Sequence, residues 1–280
     1  MLKRIAALVF VMCMISSACV QAEELVLPLN AGNAILIDGE TGEILYELNA
    51  DERIYPASTT KILTVFLGLL MGDTQETVTI SHSTVRLVDS EAVRIGLKAG
   101  EKVNFGELLQ ATLVKSGNDG ANAIAEAVAG SQSAFAALMN GYAVSIGCTD
   151  THFANASGLH DENHYTSARD MARIAFEAMQ YEAFREMAAV GRYMMEKTHM
   201  SGERVLTSHG RAFFANPQSE YYFDGACGIK TGYHQQAGYC FVAAAEREGH
   251  LLIAAVFGCS SYASCFRDCA KLLQYGFEKK

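Results

Sequence analysis

The sequence predicts an α+β fold in which one antiparallel sheet is assembled from both ends of the chain, with helices on both sides of it. Near the start, residues 33–52 alternate apolar and polar positions around a glycine-containing turn, which is typical of a β-hairpin. Near the end, residues 225–259 predict three successive strands joined by turns at Gln235-Gln236 and Glu248-Gly249. Between these regions, apolar residues recur at helical spacing.

The helical segments follow one another without a proline-rich linker, a repeat or a low-complexity stretch. A buried helix is predicted directly after Pro56-Ala57-Ser58, and short strands and loops are predicted over 78–103. Ser167 is the expected N-cap of an amphipathic helix over 167–180. The other helices are predicted over 105–116, within two segments of 117–147, and over 265–279. One domain covering residues 23–280 is the simplest prediction.

Residues 1–22 predict a signal peptide. Lys3 and Arg4 form a basic start, an apolar run follows, and Val20 and Ala22 supply the small residues of a cleavage site. The apolar run is short for a membrane span. We therefore expect an exported protein, with an uncleaved anchor or lipoprotein processing at Cys19 as the alternatives.

Composition argues against some functions. The 280 residues carry 22 Lys and Arg against 31 Asp and Glu, a formal net charge of −9, without a basic cluster. Phosphate binding needs such a cluster, so no nucleic-acid partner is expected. A structural zinc site is not expected either, because no CxxC pair occurs. Cys227 and Cys240 fall on predicted neighbouring strands, which leaves open a disulfide between them or free, buried thiols.

Three short motifs point to nucleophilic catalysis by a serine. Ser58 and Lys61 form an SxxK motif at the predicted start of a helix, where unpaired N–H groups and the positive dipole end favour a developing alkoxide. Lys61 lies one turn further on, on the same face as Ser58. An apolar helix desolvates the Lys61 ammonium and lowers its pKa, which suits this side chain to act as a base.

The second and third motifs supply polar groups that would face this pair. Ser116-Gly117-Asn118 falls between two predicted helices, so both side chains can point into a cleft. Lys230-Thr231-Gly232 falls on a predicted strand before a turn, where the cation and the hydroxyl can hold a substrate carboxylate. Gly232 allows the backbone to approach a neighbouring segment closely.

With these motifs in this order, the chain resembles the low-molecular-mass D-alanyl-D-alanine carboxypeptidases, the penicillin-binding protein 5 or S11 peptidase family. The similarity runs from about Asn33 to the last residue. The matching blocks are YPASTTKILT, LLQATLVKSGNDGANAIAE, THFANASGLHDENHYTSARDMARIA, DGACGIKTGYHQQAGYCFVAAA and AKLLQYGF. The resemblance implies a DD-peptidase/β-lactamase-like fold. It also implies a serine-type carboxypeptidase, outside the cytoplasm in the bacterial cell envelope or secreted, that trims the terminal D-alanine from peptidoglycan stem pentapeptides.

The resemblance further implies catalytic roles. Ser58 attacks the D-Ala-D-Ala carbonyl and forms an acyl-enzyme, Lys61 acts as general base, and Ser116 relays the proton to the leaving D-alanine. Water then deacylates the enzyme. Penicillin and other β-lactams are expected to acylate the same serine, and neither a metal nor an organic cofactor is implied.

Substrate-binding roles follow from the same resemblance. Asn118 orients the substrate amide, while Lys230 and Thr231 bind the terminal carboxylate. Gly232 gives the strand its close approach, and the backbone N–H groups of Tyr233 and Ser58 form the oxyanion hole.

The sequence departs from the family at three places. His234 stands where a threonine often occurs, which implies changed substrate positioning or an exposed turn residue. Cys265 stands where some members carry an arginine that helps to bind carboxylate, with Arg267 nearby. The chain stops at Lys280, whereas the family often continues into a small β-domain and an amphipathic anchor, so neither is expected here.

Other functions share part of the pattern. A class A-like β-lactamase has the same nucleophile and KTG motif, but it uses a glutamate in an ExxLN-type loop, and Glu162-Asn163 lacks that spacing. A catalytically silent peptidoglycan-binding protein would have no need of the complete motif set. His160 and His164 superficially suggest zinc, yet no HExxH occurs. Asp119 and Asp170 are expected to be structural rather than catalytic acids.

Overall fold

The computed structural model describes residues 26–88 and 92–279, so the predicted signal peptide lies outside the described residues. The strands are β1 (Asn33–Asp38), β2 (Ile44–Leu48), β3 (Thr77–Thr79), β4 (Lys102–Asn104), β5 (Arg192–Met195), β6 (Arg204–Thr207), β7 (Ala226–His234), β8 (Gly238–Arg247) and β9 (His250–Cys259). The helices are α1 (Lys61–Met71), α2 (His82–Arg86), α3 (Phe105–Lys115), α4 (Asn118–Ala129), α5 (Gln132–Ser145), α6 (Ala168–Met179), α7 (Glu182–Ala189), α8 (His209–Phe214) and α9 (Tyr262–Glu278). None of these described helices combines the length and the apolar character needed to cross a membrane.

The central sheet confirms the predicted assembly from both chain ends. Its five strands lie in the order β2-β1-β9-β8-β7, and every neighbouring pair is antiparallel. The N-terminal hairpin supplies β1 and β2, and the C-terminal region supplies the other three. The two ends of the chain join where β1 pairs with β9, with Ile35 opposite Ala255. This order leaves β7 at one edge of the sheet, where its outer backbone groups are free to face another segment.

Both faces of the sheet are covered by helices, as predicted. Along β8, Val242 packs into the apolar cluster beneath α1, α3, α4 and α6, while Phe241 and Ala243 pack into a second cluster beneath α9. This alternation explains why β8 is apolar at nearly every position, since a strand buried on both faces has no solvated side. Ser167 caps α6 as predicted, because its side chain accepts a hydrogen bond from Asp170 N.

Of the short elements between the long helices, the strands near residues 78 and 103 were predicted, whereas the helix at 82–86 and the short elements of 182–214 were not. The strands β3 and β4, the β5–β6 hairpin and the helices α2, α7 and α8 contain only three to eight residues each. Tertiary contacts stabilise them, and the clearest is an ion pair of 2.7 Å between Arg204 on β6 and Glu101, whose side chain is fully buried. Periodicity is weak in segments this short, so their sequences carry little signal.

The sheet register excludes a disulfide between Cys227 and Cys240, one of the two alternatives left open by the sequence. Cys240 lies opposite Gly232, whereas Cys227 lies in an irregular stretch of β7 opposite Ala244 and Ala245. At roughly 3.3 Å per residue along a strand, the two thiols are separated by about 15 Å, far beyond disulfide reach. Both cysteines are free, and Cys240 is completely buried.

Candidate active site

Ser58 lies in a single 3-10 turn, Ala57–Thr60, that leads directly into α1. The preceding residue, Ala57, has a left-handed backbone with a φ of +47°. Such a conformation is uncommon for a residue with a side chain and needs support from its surroundings. The turn therefore presents Ser58 at the start of a helical segment, as the sequence predicted, but in a tighter geometry than a regular first turn.

Lys61 is completely buried beside Ser58, with no exposed surface. Its Nζ lies 3.1 Å from Ser58 Oγ, 2.7 Å from Asn118 Oδ1 and 2.6 Å from the carbonyl oxygen of Ser157. Burial, together with the charge of Lys230, holds the pKa of Lys61 well below its ordinary value, and Asp119 opposes the shift. The amine is thus driven toward its neutral form.

The neutral form of Lys61 matches the geometry of its three partners. A neutral amine keeps two N–H donors, and the carbonyl-type acceptors of Asn118 and Ser157 are the closer two partners. The lone pair is then left for Ser58 Oγ at 3.1 Å, the distance at which a hydroxyl donates a hydrogen bond. This arrangement can remove the Ser58 proton as the oxygen attacks.

The second motif lies at the junction between α3 and α4. Ser116 ends α3 with a φ of +66°, and Gly117 caps the start of α4. The sharp reversal between the helices brings Asn118 to the first position of α4, where its side chain reaches Lys61 Nζ. The backbone N–H of Asn118 also donates to Val93 O at 2.8 Å, which ties this junction to a loop at the rim of the cleft.

The third motif lies on β7, which passes close to the turn that carries Ser58. A Cβ added to Gly232 would lie 2.9 Å from Ser58 N and 3.1 Å from Pro56 O. Real Cβ atoms avoid contacts this short, so the position accepts only glycine without movement of the strand or the turn. The close approach predicted for Gly232 is present, and its neighbour in space is the Ser58 turn itself.

Lys230 and Thr231 face the same cleft from β7. Lys230 is only 4% exposed, its Nζ donates to Thr231 O at 3.0 Å, and burial lowers its pKa to about 7. Tyr262, at the start of α9, lines the same cleft as Thr231. A buried cation beside a hydroxyl is suited to an anionic ligand such as a carboxylate.

A cleft of about 420 Å³ joins these groups: Ser58, Ser116, Lys230, Thr231, Gly232 and Tyr233 line it together. Its other walls include Val93, Lys115, Thr207, His209, Phe213 and Tyr262. The aromatic side forms a continuous surface, because the rings of His209 and Tyr262 have centroids 4.3 Å apart and those of Tyr262 and Tyr239 lie 4.7 Å apart. Lys115 is exposed and lies at the rim of this cleft.

The buried amine of Lys61 thus lies within hydrogen-bond distance of Ser58, and the ammonium group of Lys230 and the hydroxyl of Thr231 line the same cleft as Ser58. The sequence profile of the peptidase S11 family, described as D-alanyl-D-alanine carboxypeptidase, matches residues 19–261. The chain belongs to the S11 peptidase family. The resemblance to the S11 peptidases that the sequence motifs indicated is confirmed.

Relatives in the S11 family match across most of the chain. DacF of Bacillus subtilis (strain 168), named a D-alanyl-D-alanine carboxypeptidase, is 34% identical over 255 residues, which cover 89% of this chain and 62% of that protein. DacA of Escherichia coli (strain K12), with the same name, is 35% identical over 257 residues, which cover 89% of this chain and 61% of that protein. The chain therefore spans about three fifths of the length of these curated relatives.

Solved structures in the same group confirm the predicted DD-peptidase-like fold. The Streptomyces K15 DD-transpeptidase superposes with a TM-score of 0.81 at 29% identity, covering 91% of this chain and 100% of that chain. The D-alanyl-D-alanine carboxypeptidase of Mycobacterium tuberculosis H37Rv superposes with a TM-score of 0.80 at 28% identity, covering 92% and 95% of the two chains.

Two departures from the S11 pattern have definite positions in the structure. Cys265 is completely buried in α9, beneath the sheet. The guanidinium of Arg267 is 3.9 Å from Glu220, and its side chain is 61% exposed and absent from the cleft lining. His234 ends β7, where its Nδ1 accepts from Ala237 N at 3.1 Å, so it stabilises the turn into β8.

The carboxylates of Asp119 and Asp170, which the sequence analysis considered, accept hydrogen bonds from neighbouring loops. The Asp119 carboxylate accepts hydrogen bonds from the backbone N–H groups of Ile95, Gly96 and Leu97, at 2.8 to 3.0 Å. Asp170 accepts from Asp150 N and from the Thr151 hydroxyl, both at 2.8 Å. Both carboxylates hold loops in place, which agrees with the structural role expected for them.

Sequence reasoning missed one contributor to the site altogether. Ser157 contributes its backbone carbonyl, which is the closest partner of Lys61 Nζ. A backbone acceptor leaves no residue-type signal in a sequence, so only the fold can reveal it.

Proposed function

We propose that this protein is a serine-type D-alanyl-D-alanine carboxypeptidase that removes the terminal D-alanine from peptidoglycan stem pentapeptides. The observation that carries the proposal is the buried Lys61 amine, 3.1 Å from Ser58 Oγ and held by two further acceptors. Membership of the S11 family and the names of its relatives support the choice of substrate.

Acylation begins when Ser58 Oγ attacks the carbonyl carbon of the penultimate D-alanine and its proton passes to Lys61 Nζ. The resulting oxyanion accepts hydrogen bonds from the backbone N–H groups of Ser58 and Tyr233, donors of the kind that contribute about a hundred- to a thousandfold to turnover. The C–N bond then breaks, and Ser116 relays a proton to the leaving nitrogen of D-alanine. The product of this step is an ester between Ser58 and the shortened peptide.

Substrate binding and deacylation use the remaining groups. Asn118 orients the substrate amide, and Lys230 with Thr231 binds the carboxylate of the leaving D-alanine. Water then attacks the ester, with its proton taken up by Lys61, and Ser58 is regenerated. A β-lactam carries a reactive amide and a carboxylate in a similar arrangement, so the same serine is expected to form a long-lived penicilloyl ester.

The expected location follows from the substrate. Peptidoglycan stem peptides lie outside the cytoplasm, so we propose that residues 1–22 direct export and that residues 23–280 act as one catalytic domain at the outer face of the cell envelope or after secretion. N-terminal sequencing of the protein recovered from the medium or envelope of an expressing bacterium tests this. We expect Glu23 as the first residue, whereas an intact Met1 would contradict the proposed cleavage.

The direct test of activity is incubation with a pentapeptide that ends in D-Ala-D-Ala. Mass spectrometry should show loss of a single alanine, with free D-alanine released in equal amount. Ser58→Ala is the matched control, because it removes only the attacking oxygen. An unchanged pentapeptide with the wild type, or equal trimming by Ser58→Ala, would contradict the proposal. Loss of larger fragments from cross-linked dimers would instead indicate an endopeptidase.

A further inference from the structure

His164 contacts both the turn that carries the nucleophile and the loop that supplies an acceptor for the base, although it belongs to none of the three motifs. The side chain is buried, with 2% exposure. Ala154 N–H donates to His164 Nδ1 at 3.1 Å, and His164 Nε2 lies 2.8 Å from Thr60 Oγ1. Because Nδ1 accepts from a backbone donor, the neutral ring carries its proton on Nε2 and donates it to Thr60. Both ring nitrogens are used, which leaves neither to bind zinc.

Thr60 transmits this contact to the residue before the nucleophile. Its hydroxyl donates to Ala57 O at 2.8 Å. Ala57 is the left-handed residue of the turn, so the direction of its carbonyl group fixes the peptide plane that contains Ser58 N. On its other side this carbonyl meets Gly158, where an added Cβ would lie only 1.9 Å from Ala57 O. The Ala57 carbonyl is therefore held between Thr60 and the loop that contains Gly158.

The same loop also holds the base. Ser157 O accepts from Lys61 Nζ at 2.6 Å, and Ala156 O accepts from Thr64 Oγ1 at 2.6 Å on the next turn of α1. His164 is anchored to this loop through Ala154 and to the Ser58 turn through Thr60. One side chain thus connects the loop that supplies the Lys61 acceptor to the turn that carries Ser58.

We propose that His164 is a positioning residue for acylation, which holds the Ser58 turn and the 154–158 loop in register through the chain His164–Thr60–Ala57. This inference rests on the proposed serine mechanism. It assigns no contact with substrate to His164, so its loss is expected to slow the chemical step rather than weaken binding.

His164 is uncharged in this positioning role. Burial lowers its pKa to about 3, and the charges of His152, His234 and Lys61 act in the same direction, whereas Asp161 opposes them. Protonation would place a second N–H on Nδ1, facing the N–H of Ala154, and would break the contact. The positioning effect is therefore expected to be constant across neutral and mildly alkaline pH.

The test is single-turnover acylation by a fluorescent penicillin, which separates the binding constant from the acylation rate at saturation. His164→Leu removes both hydrogen bonds, and Thr60→Val removes the hydroxyl at nearly constant shape. His164→Gln retains one acceptor and one donor. Met139→Ala, in the buried core of α5, is the control for lost stability without a change near Ser58. Thermal unfolding is followed in parallel for every variant.

We expect His164→Leu and Thr60→Val each to lower the saturating rate by at least about tenfold, equivalent to about 1.4 kcal/mol, with binding changed by less than about twofold. The double variant should be no slower than the slower single variant, because the two residues act as one unit. His164→Gln should recover to within about threefold of the wild-type rate. Met139→Ala should unfold at lower temperature and yet acylate at the wild-type rate.

An unchanged saturating rate in Thr60→Val would overturn the inference, and this variant decides the matter if His164→Leu does not fold. The inference would also be overturned if His164→Leu and Thr60→Val weakened only the binding of the penicillin. The same holds if the saturating acylation rate of Met139→Ala were as low as that of His164→Leu. These results differ from failure of the proposed function, in which the wild type itself would not be acylated.

Discussion

Two buried lysines, Lys61 and Lys230, lie at the cleft, and their surroundings differ. The difference favours the role of a base for one and of a cation for the other. Lys61 has three hydrogen-bond partners, and burial with the nearby Lys230 charge keeps its pKa well below the ordinary value. Lys230 has a pKa of about 7, lowered by burial. Titratable groups whose environments separate their pKa values commonly divide base and charged roles between them. We therefore propose Lys61 as the base and Lys230 as the carboxylate anchor.

This division predicts a bell-shaped dependence of kcat/KM on pH with a pentapeptide substrate. Activity falls toward acid as Lys61 gains a proton and loses its lone pair. It falls toward alkali as Lys230 in the free enzyme loses its charge near pH 7. Lys230→Arg keeps a cation at all assay pH values, so its alkaline limb should move to higher pH. An identical alkaline limb in this variant would show that Lys230 is not the titrating group.

His164 predicts a second pH effect, on stability rather than on rate. Its pKa is about 3 in the folded protein against 6.5 for a free side chain, so only the unfolded chain takes up the proton between these values. Stability is unaffected above pH 6.5 and is lost as pH falls toward 3, by at most about 5 kcal/mol.

Urea unfolding of the wild type and His164→Gln from pH 8 to pH 4.5 measures this effect. The difference in unfolding free energy between the two proteins should stay constant above about pH 6.5 and shift in favour of the variant below it. Parallel curves over the whole range would contradict a buried, neutral His164. Carboxylates that titrate in both proteins cancel in this comparison.

At the level of secondary structure, the site depends on the edge of β7 touching the turn before α1. β7 is the last strand of the sheet, so its outer backbone groups are not paired within the sheet, and at Gly232 it lies against the turn that carries Ser58. The contact needs the absence of a side chain at Gly232. It is also the place where a backbone N–H of β7, that of Tyr233, can share an oxyanion with the N–H of Ser58.

Gly232→Ala is therefore expected to lower acylation by about tenfold to a hundredfold, because overpacking of about 1–3 kcal/mol must be relieved by separating the strand from the turn. Gly141→Ala is the matched control, since nothing lies within 4 Å of the added Cβ. In the interior of α5 this change should raise stability by about 0.5–1 kcal/mol without altering acylation. Penicillin labelling rates and thermal unfolding measure both. Wild-type acylation by Gly232→Ala would contradict the assigned contact.

At the level of the whole molecule, the sheet brings together motifs that lie far apart in the sequence. Ser58 follows the N-terminal hairpin, whereas Lys230 lies on β7, and the pairing of β1 with β9 places both beside one cleft. The sequence was sufficient to predict this assembly, because hairpin turns, strand alternation and helical spacing are local patterns. The meeting of the three motifs at one cleft could be predicted too, since each motif contains side chains suited to chemistry.

Features that depend on tertiary contacts could not be predicted. The Ser157 carbonyl, the left-handed Ala57 and the His164–Thr60 contact have no local signature. The Cys227–Cys240 alternative failed for a related reason, since neighbouring strands were recognised but their register was not. Register depends on the β7–β8 turn together with packing on both faces of the sheet.

The central claim is that Ser58 is the nucleophile, activated by Lys61. The most direct measurement is intact-protein mass spectrometry after brief exposure to benzylpenicillin, followed by peptide mapping of the adduct. We expect one penicilloyl group per protein, attached to Ser58, and no adduct in Ser58→Ala. Lys61→Arg keeps the positive charge but cannot act as a base near neutral pH, so it should show almost no adduct at the same time point. An unmodified wild type, or an adduct attached to Ser116 instead, would contradict the account.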